Sequence, residues 1–221
     1  MSLSEDYRTS ALQRTLKALE QDLIDDDGPR ISTMRNYRFA IAVYPPREEW
    51  DLRRGLSELS DRLKQEGWIV HTISLHRILV DRIKEELGER NIQRIIDREK
   101  GLIERGSPDR ALNYLEGKIA RLVEGPDGLA ADVADEIEEL VAKNPDDAER
   151  IVVFIGRTGA MYPFMRTSAL LKHLDGRTKH VRVVLLYPGE KKGENGLSFM
   201  GELPPDRDYR PRIYTSDSLK I

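Results

Sequence analysis

The sequence predicts an α/β domain of three layers, in which helices cover both faces of a mostly parallel sheet of about five strands. Short apolar runs alternate with segments of helical periodicity along the 221 residues. The first 75 residues follow the order strand–helix–strand, a unit whose strands are normally parallel. Several helical segments then separate the second strand from the third. We therefore expect one domain over residues 1–221, with a helical insertion at residues 77–149.

The first part of the chain predicts two helices and two strands. Leucines at helical spacing indicate a first helix over residues 7–25. The apolar run 39–44 predicts a buried strand that ends at Pro45-Pro46, and the run 68–75 predicts a second strand. Between them a helix is predicted over residues 48–66. Its inward residues are expected to be Trp50, Leu52, Leu56, Leu59 and Leu63.

The remaining strands follow the predicted insertion. Ser107-Pro108 is a typical helix start inside the insertion, with serine as N-cap and proline at the first helical position. Apolar runs predict a third strand at 151–155 and a fourth at 181–187, joined by a helix over residues 164–174. Residues 210–214 predict a fifth strand. This strand is expected at an edge, because Pro211 lacks the amide hydrogen that a central strand needs.

Composition excludes several classes of protein. The chain has no cysteine, which rules out disulfides, thiolate metal sites and a cysteine nucleophile. Its longest apolar runs fall far short of the roughly 20 residues that span a bilayer, and its first residues do not form a signal peptide. These features predict a cytoplasmic protein with no membrane contact.

Charge is distributed unevenly behind a net charge of −3. Residues 124–149 contain ten acids and one base, a net charge of −9, which suits a solvated helix face. Residues 150–221 contain thirteen bases and seven acids, a net charge of +6. An anionic ligand is therefore expected on the C-terminal part. Direct DNA binding has weak support, because neither a run of basic residues nor interleaved aromatics occurs.

The most informative segment runs from Gly156 to Ser168, directly after the third strand. Its two arginines, Arg157 and Arg166, flank the sequence Tyr162-Pro163-Phe164. The carboxyl end of a strand is where open α/β sheets present ligand-binding groups. No nucleophile or metal-ligating side chain accompanies the arginines, so the segment indicates recognition in preference to catalysis.

Two interpretations of the arginines stay open. Each could pair with a carboxylate of a neighbouring loop, such as Glu190 or Asp206. Alternatively, the pair could form a clamp on a phosphate or on a carboxylate of a partner protein. A cation near a helix start runs against the helix dipole, which favours a tertiary or functional role for Arg166.

Three Tyr-Pro steps, at Tyr44, Tyr162 and Tyr187, are all expected near the carboxyl edge of the sheet. One interpretation is strand termination, with tyrosine hydroxyls that reach solvent. The other is one aromatic-lined surface shared by three loops.

Several kinds of catalytic site have no support in the sequence. There is no GxxxxGK[ST] phosphate loop, no GxGxxG after the first strand and no GxSxG. The four histidines form no HxxxH pair, and the consecutive acids Asp25, Asp26 and Asp27 rarely converge on a metal. We expect no metal, no cofactor and no catalytic residue.

Together, five segments of the chain resemble the BrxB family of bacteriophage exclusion (BREX) systems. The joint match in order and spacing spans most of the chain, whereas residues 77–149 contribute little. The segments are Ala40–Pro46, Phe154–Leu171, Val184–Glu190, Leu197–Gly201 and Tyr209–Tyr214.

The resemblance implies a cytoplasmic defence protein that works with other BREX components. These are a phosphatase-like PglZ protein, an adenine-specific DNA methyltransferase and a large ATPase, in a system that methylates host DNA and blocks phage replication. The resemblance transfers no catalytic residue. It therefore favours a non-catalytic adaptor that holds a larger defence protein, with the PglZ-type protein as the first candidate, through its strand-end face or its helical insertion.

The alternative function is a degenerate P-loop-like protein that binds nucleotides or handles phosphoesters. In either case the predicted binding residues are Arg157, Tyr162, Pro163, Phe164, Arg166, Tyr44, Tyr187, Pro188, Gly189, Phe199 and Arg210.

Overall fold

The computed structural model describes residues 10–25, 31, 38–165, 167–174, 176–178, 180–193, 196–205 and 211–219. Helices in this part are α1 (Ala11–Leu23), α2 (Glu49–Gln65), α3 (Leu75–Glu104), α4 (Pro108–Val123), α5 (Leu129–Lys143) and α6 (Thr167–Leu174). Strands are β1 (Phe39–Tyr44), β2 (Ile69–Ser74), β3 (Ile151–Gly156), β4 (Arg182–Lys192), β5 (Gly196–Phe199) and β6 (Arg212–Tyr214).

Five of these strands form a parallel sheet in the order β2-β3-β4-β1-β6. β5 pairs antiparallel with the far end of β4, where Gly189 lies opposite Phe199. The helices α3, α4 and α5 lie between β2 and β3 in the chain. The predicted fold class, the helical insertion and the edge position of the last strand are thereby confirmed.

The two faces of the sheet bury two separate apolar cores. On one face, Phe39, Ile41 and Val43 of β1 pack in the core that includes residues of α3, α5 and α6. On the other face, Ala40 and Ala42 pack with residues of α1 and α2. Neighbouring side chains of a strand point to opposite faces, so continuous apolar runs are what a doubly covered strand requires.

The end of α1 is fastened to β6 by a buried carboxylate. The hydroxyl of Tyr214 donates a hydrogen bond to Asp22 Oδ2 over 2.9 Å, and Arg212 Nη2 lies 2.5 Å from the same oxygen. The pairing satisfies an acid that is almost fully buried in the apolar side of α1. It also connects the N-terminal helix to the last strand.

Some predicted boundaries move. Apolar spacing on either side of Gly88 predicts two helices, and α3 does consist of two helical segments that meet at a kink, where Gly88 has a non-helical φ of 68°. The helix predicted from Phe164 begins only at Thr167. Residues 162–164 form a turn, in which the Tyr162–Pro163 peptide bond is cis.

The outer half of α3 and the facing part of α4 form a hairpin that has little core. Between residues 89 and 118 only Ala111 is buried. Ile96, Ile103 and Leu112 are 38%, 50% and 42% exposed. Nearer the sheet, Arg82 of α3 binds Asp132 of α5 over 2.8 Å. The insertion is therefore anchored at its base, whereas its far end is supported by the hairpin's own contacts.

We expect opposite effects from two glycine-to-alanine substitutions. A Cβ at Gly189 would overlap the backbone oxygen of Ser198 and lie 2.8 Å from a ring carbon of Tyr187, so Gly189→Ala should destabilise the fold by about 1–3 kcal/mol. Gly117 lies inside α4 with no atom within 4 Å of that position. Gly117→Ala should stabilise by about 0.5–1 kcal/mol. Urea unfolding measures both, and equal signs would contradict this account.

Candidate functional site

The carboxyl edge of the parallel sheet gathers most of the predicted site. β1 ends there at Tyr44 and β3 ends at Gly156, while β4 runs past them through Pro188. The chain leaves β1 through a short 3₁₀ turn, Pro46–Glu48, into α2. The first turn of α2 is thus positioned directly over the ends of the strands.

Glu49, in this first turn of α2, connects three elements. Its Oε2 accepts a hydrogen bond of 2.5 Å from the hydroxyl of Tyr44, at the end of β1. Its Oε1 accepts a hydrogen bond of 3.3 Å from Arg157 Nη1, immediately after β3. Arg53, one turn further along α2, lies 3.6 Å from the same oxygen. One carboxylate therefore ties β1, α2 and β3 together above the intervening β4.

The tyrosine of this network is fully enclosed. Tyr44 is 1% exposed, and burial, followed by its hydrogen bond to Glu49, raises the pKa of its hydroxyl above the usual value. Burial also raises the pKa of Tyr214, with the Asp22 carboxylate adding to the effect. Both hydroxyls therefore remain protonated donors throughout the neutral range.

Arg157 sits in a backbone conformation that few residues other than glycine adopt. Its φ is 60° and its ψ is 27°, in the left-handed region. The following turn holds it there, because the buried Thr158 hydroxyl donates to the Leu186 carbonyl of β4 over 2.6 Å. The side chain is 34% exposed. The guanidinium is thus directed across the strand ends toward α2.

The structure pairs Arg157 with a carboxylate other than the two expected. Arg157 binds Glu49, whereas Glu190 binds Lys192 over 2.6 Å. For Arg157 the pairing with Glu190 is therefore wrong, because β4 continues outward past Pro188 and carries Glu190 into its own hairpin with β5. A pairing of Arg166 with Glu190 stays a prediction, because Arg166 lies outside the described residues. Asp206 lies outside the described residues.

The tyrosines do not form the shared aromatic surface that was considered. Tyr44 and Tyr187 are both buried, and they pack in the cores on opposite faces of the sheet. The reason is register: Tyr187 lies beside Val43, one residue before Tyr44, and consecutive side chains alternate between faces. Of the three Tyr-Pro steps, only Tyr162 offers its ring to solvent, with 39% exposed.

The ring of Tyr162 packs against a stack of two further aromatic rings, Phe199 and Tyr187. Its ring centroid is 6.2 Å from that of Phe199 in β5, and Phe199 meets Tyr187 edge-on at 5.4 Å. Phe199 and Tyr187 are buried, so the stack links an exposed ring to the core of the sheet. Edge-to-face and tilted aromatic contacts of this length are stabilising beyond the area they bury.

The other predicted site residues fall into three groups. Pro188 and Gly189 are buried in β4. Pro163 and Phe164 are half-buried and line a small cavity of about 210 Å³ together with residues of α4, α5 and α6. Arg166 and Arg210 lie outside the described residues, so their predicted binding role stays a prediction.

Trp50, which was predicted to face the core, is a surface residue, so that prediction is wrong. It is 73% exposed in the first turn of α2, and the guanidinium of Arg53 lies 5.8 Å from the centroid of its ring. Helical spacing could have revealed this, because Leu52, Leu56, Leu59 and Leu63 define the inward face. Trp50 precedes Leu52 by two residues, about 200° around the helix, and thus faces away from the core.

A second, larger crevice lies beside this network on the same edge. Its volume is about 580 Å³, and it opens between the ends of β1 and β4, the start of α1 and the segment after β6. Its polar lining includes Thr15, Glu190, Lys191, Ser216 and Asp217. Within the described residues, no group of three or more histidine, aspartate or glutamate side chains is arranged to hold a metal ion.

We expect the buried tyrosines to make stability depend on alkaline pH. Below about pH 10 a tyrosine is protonated in both states; above it, the unfolded chain ionises while the folded pKa stays higher. Stability should therefore fall by about 1.4 kcal/mol per pH unit for each such tyrosine. Tyr44→Phe should reduce that slope in urea titrations between pH 10 and pH 11 by about this amount, and Tyr214→Phe should do the same. Slopes identical to the wild type would refute the assignment.

Comparison with known proteins identifies relatives along most of the chain. The family model described as "BREX protein BrxB" matches residues 71–213. A BREX protein BrxB of Bacillus cereus (strain H3081.97) is 28% identical over 173 residues, which cover 78% of this chain and 80% of that protein. No solved structure matches significantly. Within the described residues, no helix is both long and apolar enough to cross a membrane.

The family match extends from β2 through the insertion and the Arg157 turn into β6. It therefore includes the helical insertion, which contributed little to the resemblance seen in the sequence. A role in BREX phage defence follows from this match. The chain belongs to the BrxB family.

Proposed function

We propose that this protein is a non-catalytic adaptor of a cytoplasmic BREX system, which binds a larger defence protein through the carboxyl edge of its sheet. The observation that supports this is the pair of exposed aromatic rings, Trp50 and Tyr162, on the elements that follow the carboxyl ends of β1 and β3. Exposed tryptophan and tyrosine are the residues most often found as energetic anchors of protein interfaces.

The segments that carry the rings of Trp50 and Tyr162 are held in place by hydrogen bonds and packing. Trp50 is next to Glu49, which is held by Tyr44 and Arg157. Tyr162 follows the turn that Thr158 fastens to β4, and its ring rests on Phe199. Side chains ordered in advance lose little entropy when they bind, so their contacts contribute more to affinity. Arg157, partly exposed between them, can also meet a carboxylate of the partner.

A PglZ-type phosphatase-like protein is the partner we propose first. The BREX methyltransferase and ATPase are further candidates, because the resemblance to the BrxB family implies a system that contains all three proteins. The partner's matching surface should combine apolar pockets for the two rings with acidic side chains for Arg157 and Arg53. Binding of DNA by this protein alone is not part of the proposal.

We expect Trp50→Ala to weaken binding of the PglZ-type protein about thirtyfold, because an anchor residue contributes about 2 kcal/mol or more. Purified proteins in biolayer interferometry or calorimetry would measure this. The melting temperature should change little, since the ring is 73% exposed. Tyr162→Ala should weaken binding in the same direction.

Leu112→Ala provides a matched control. Leu112 is a 42% exposed apolar residue on α4, in the outer hairpin of the helical insertion. Its substitution should leave the affinity unchanged. A loss at Leu112 with none at Trp50 would move the interface to the helical insertion. Unchanged affinity in both variants, or no complex with the wild-type protein, would exclude the edge as the docking surface.

Nucleotide binding is the second candidate function, and the crevice of about 580 Å³ at the carboxyl edge is what favours it. Open α/β sheets bind ligands in such crevices. Its lining argues against a phosphate, because it contains Glu190 and Asp217, and because Pro45 after β1 supplies no amide hydrogen. We therefore expect no saturable heat of binding when ATP or GTP with Mg²⁺ is titrated into the protein. Saturable binding that Lys191→Ala abolishes would establish this function instead.

A further inference from the structure

The strand β2 forms one edge of the parallel sheet and is paired on one side only. Its six residues lie in unbroken register with β3, from Ile69 beside Ile151 to Ser74 beside Gly156. No other described residue donates to, or accepts from, the outward-facing backbone groups of β2. A row of unused donors and acceptors therefore faces away from β3.

The side chains of β2 also show that this edge is open. Among its six residues only Ile73 is buried, whereas all six residues of β1 and of β3 are buried. Thr72 is exposed, and His71 keeps 36% of its side chain accessible although it binds Glu136 over 2.6 Å. The described elements that cover the faces of the sheet leave the flank of β2 uncovered.

The opposite edge of the same sheet is protected in the usual ways. β6 has only three residues, Pro211 precedes it, and its first residue is the charged Arg212. Short length, proline and charge all prevent a sheet edge from pairing with another strand. β2 has none of these features: it is six residues long, free of proline, without a lysine, arginine or carboxylate, and without a bulge.

We propose that β2 pairs antiparallel with β2 of a second copy of this chain, so that one sheet continues across a twofold axis. A twofold axis perpendicular to the sheet leaves each side chain on the same face of the sheet. Two residues that lie opposite each other across the axis must therefore have side chains on the same face. Pairing about Thr72 satisfies this condition. It sets Thr72 opposite its own copy, Val70 opposite Ser74, and His71 opposite Ile73.

The strand is complementary to itself in this register. Threonine opposite threonine is a favourable cross-strand pair, and no residue of β2 brings a fixed charge against a like charge. Glu66 precedes β2 in the chain and Arg77 follows it. Antiparallel pairing therefore brings Glu66 of one copy close to Arg77 of the other. Arg77 is 82% exposed, so it is available for this contact. A parallel arrangement would instead bring equal charges together.

Sedimentation of the purified full chain tests the proposal directly. The wild-type protein should show a concentration-dependent dimer. Thr72→Lys places two like charges opposite each other at the axis and should raise the dissociation constant about tenfold or more. Thr72→Val keeps the strand neutral and should still dimerise. Circular dichroism and thermal melting would show that all three proteins fold alike.

Disulfide trapping tests the register, and the absence of native cysteine makes it clean. Thr72→Cys should form a disulfide-linked dimer under mild oxidation, because opposed residues of antiparallel strands have Cα atoms within the range that a disulfide requires. Val70→Cys, on the same face of the same strand, is the matched control. Its copy would lie four residues along the pair, roughly 13 Å away, and should not cross-link.

Three results would overturn the proposal. The first is a wild-type chain that sediments as a monomer at every concentration. The second is a dimer that Thr72→Lys does not weaken and that Thr72→Cys does not trap, since that dimer would use another surface. Cross-linking of Val70→Cys with none at Thr72→Cys would likewise exclude this register. None of these outcomes depends on the partner proposed above.

Discussion

Burial of the three central strands on both faces is the constraint on which the rest of the structure depends. Every residue of β1 and β3, and the first eight residues of β4, from Arg182 to Gly189, are buried. A strand in this position must be apolar on both sides and must receive a helical layer on each. The chain meets the requirement with α1 and α2 on one side and with α5, α6 and the base of α3 on the other. Among the strands of the parallel sheet, charged side chains are thereby confined to strand ends and to the edge strands.

This confinement explains why the carboxyl edge is organised by charged hydrogen bonds. At the ends of β1 and β3, the polar groups of Tyr44 and Arg157 are no longer covered by an apolar layer. Both donate hydrogen bonds to Glu49 instead. A carboxylate held by a phenol and a guanidinium orders both partners at once. The arrangement fixes the first turn of α2 and the turn after β3 relative to each other.

The sequence predicted the fold class and most elements because continuous apolar runs and helical periodicity are local signals. The site was less predictable, since its pairings join residues distant in the chain, such as Arg157 with a glutamate 108 positions away. The burial of Tyr44 and Tyr187 on opposite faces depends on register between β1 and β4, which no local pattern reveals. Trp50 is a different case: spacing against Leu52 and Leu56 showed its outward direction, but its hydrophobic character led to a core assignment. Arg166 and Arg210 lie outside the described residues.

The hairpin of α3 and α4 has a consequence for how stability is distributed along the chain. Its outer 30 residues bury little more than Ala111, and the break at Gly88 separates the outer part of α3 from the inner part. Segments with so few buried contacts open at a much lower free energy than the sheet does. We therefore expect the outer part of the hairpin to unfold locally while both cores stay closed. A ligand that binds the hairpin would have to order these helices as it binds. A ligand that binds at the carboxyl ends of the strands would instead contact a surface that is already ordered.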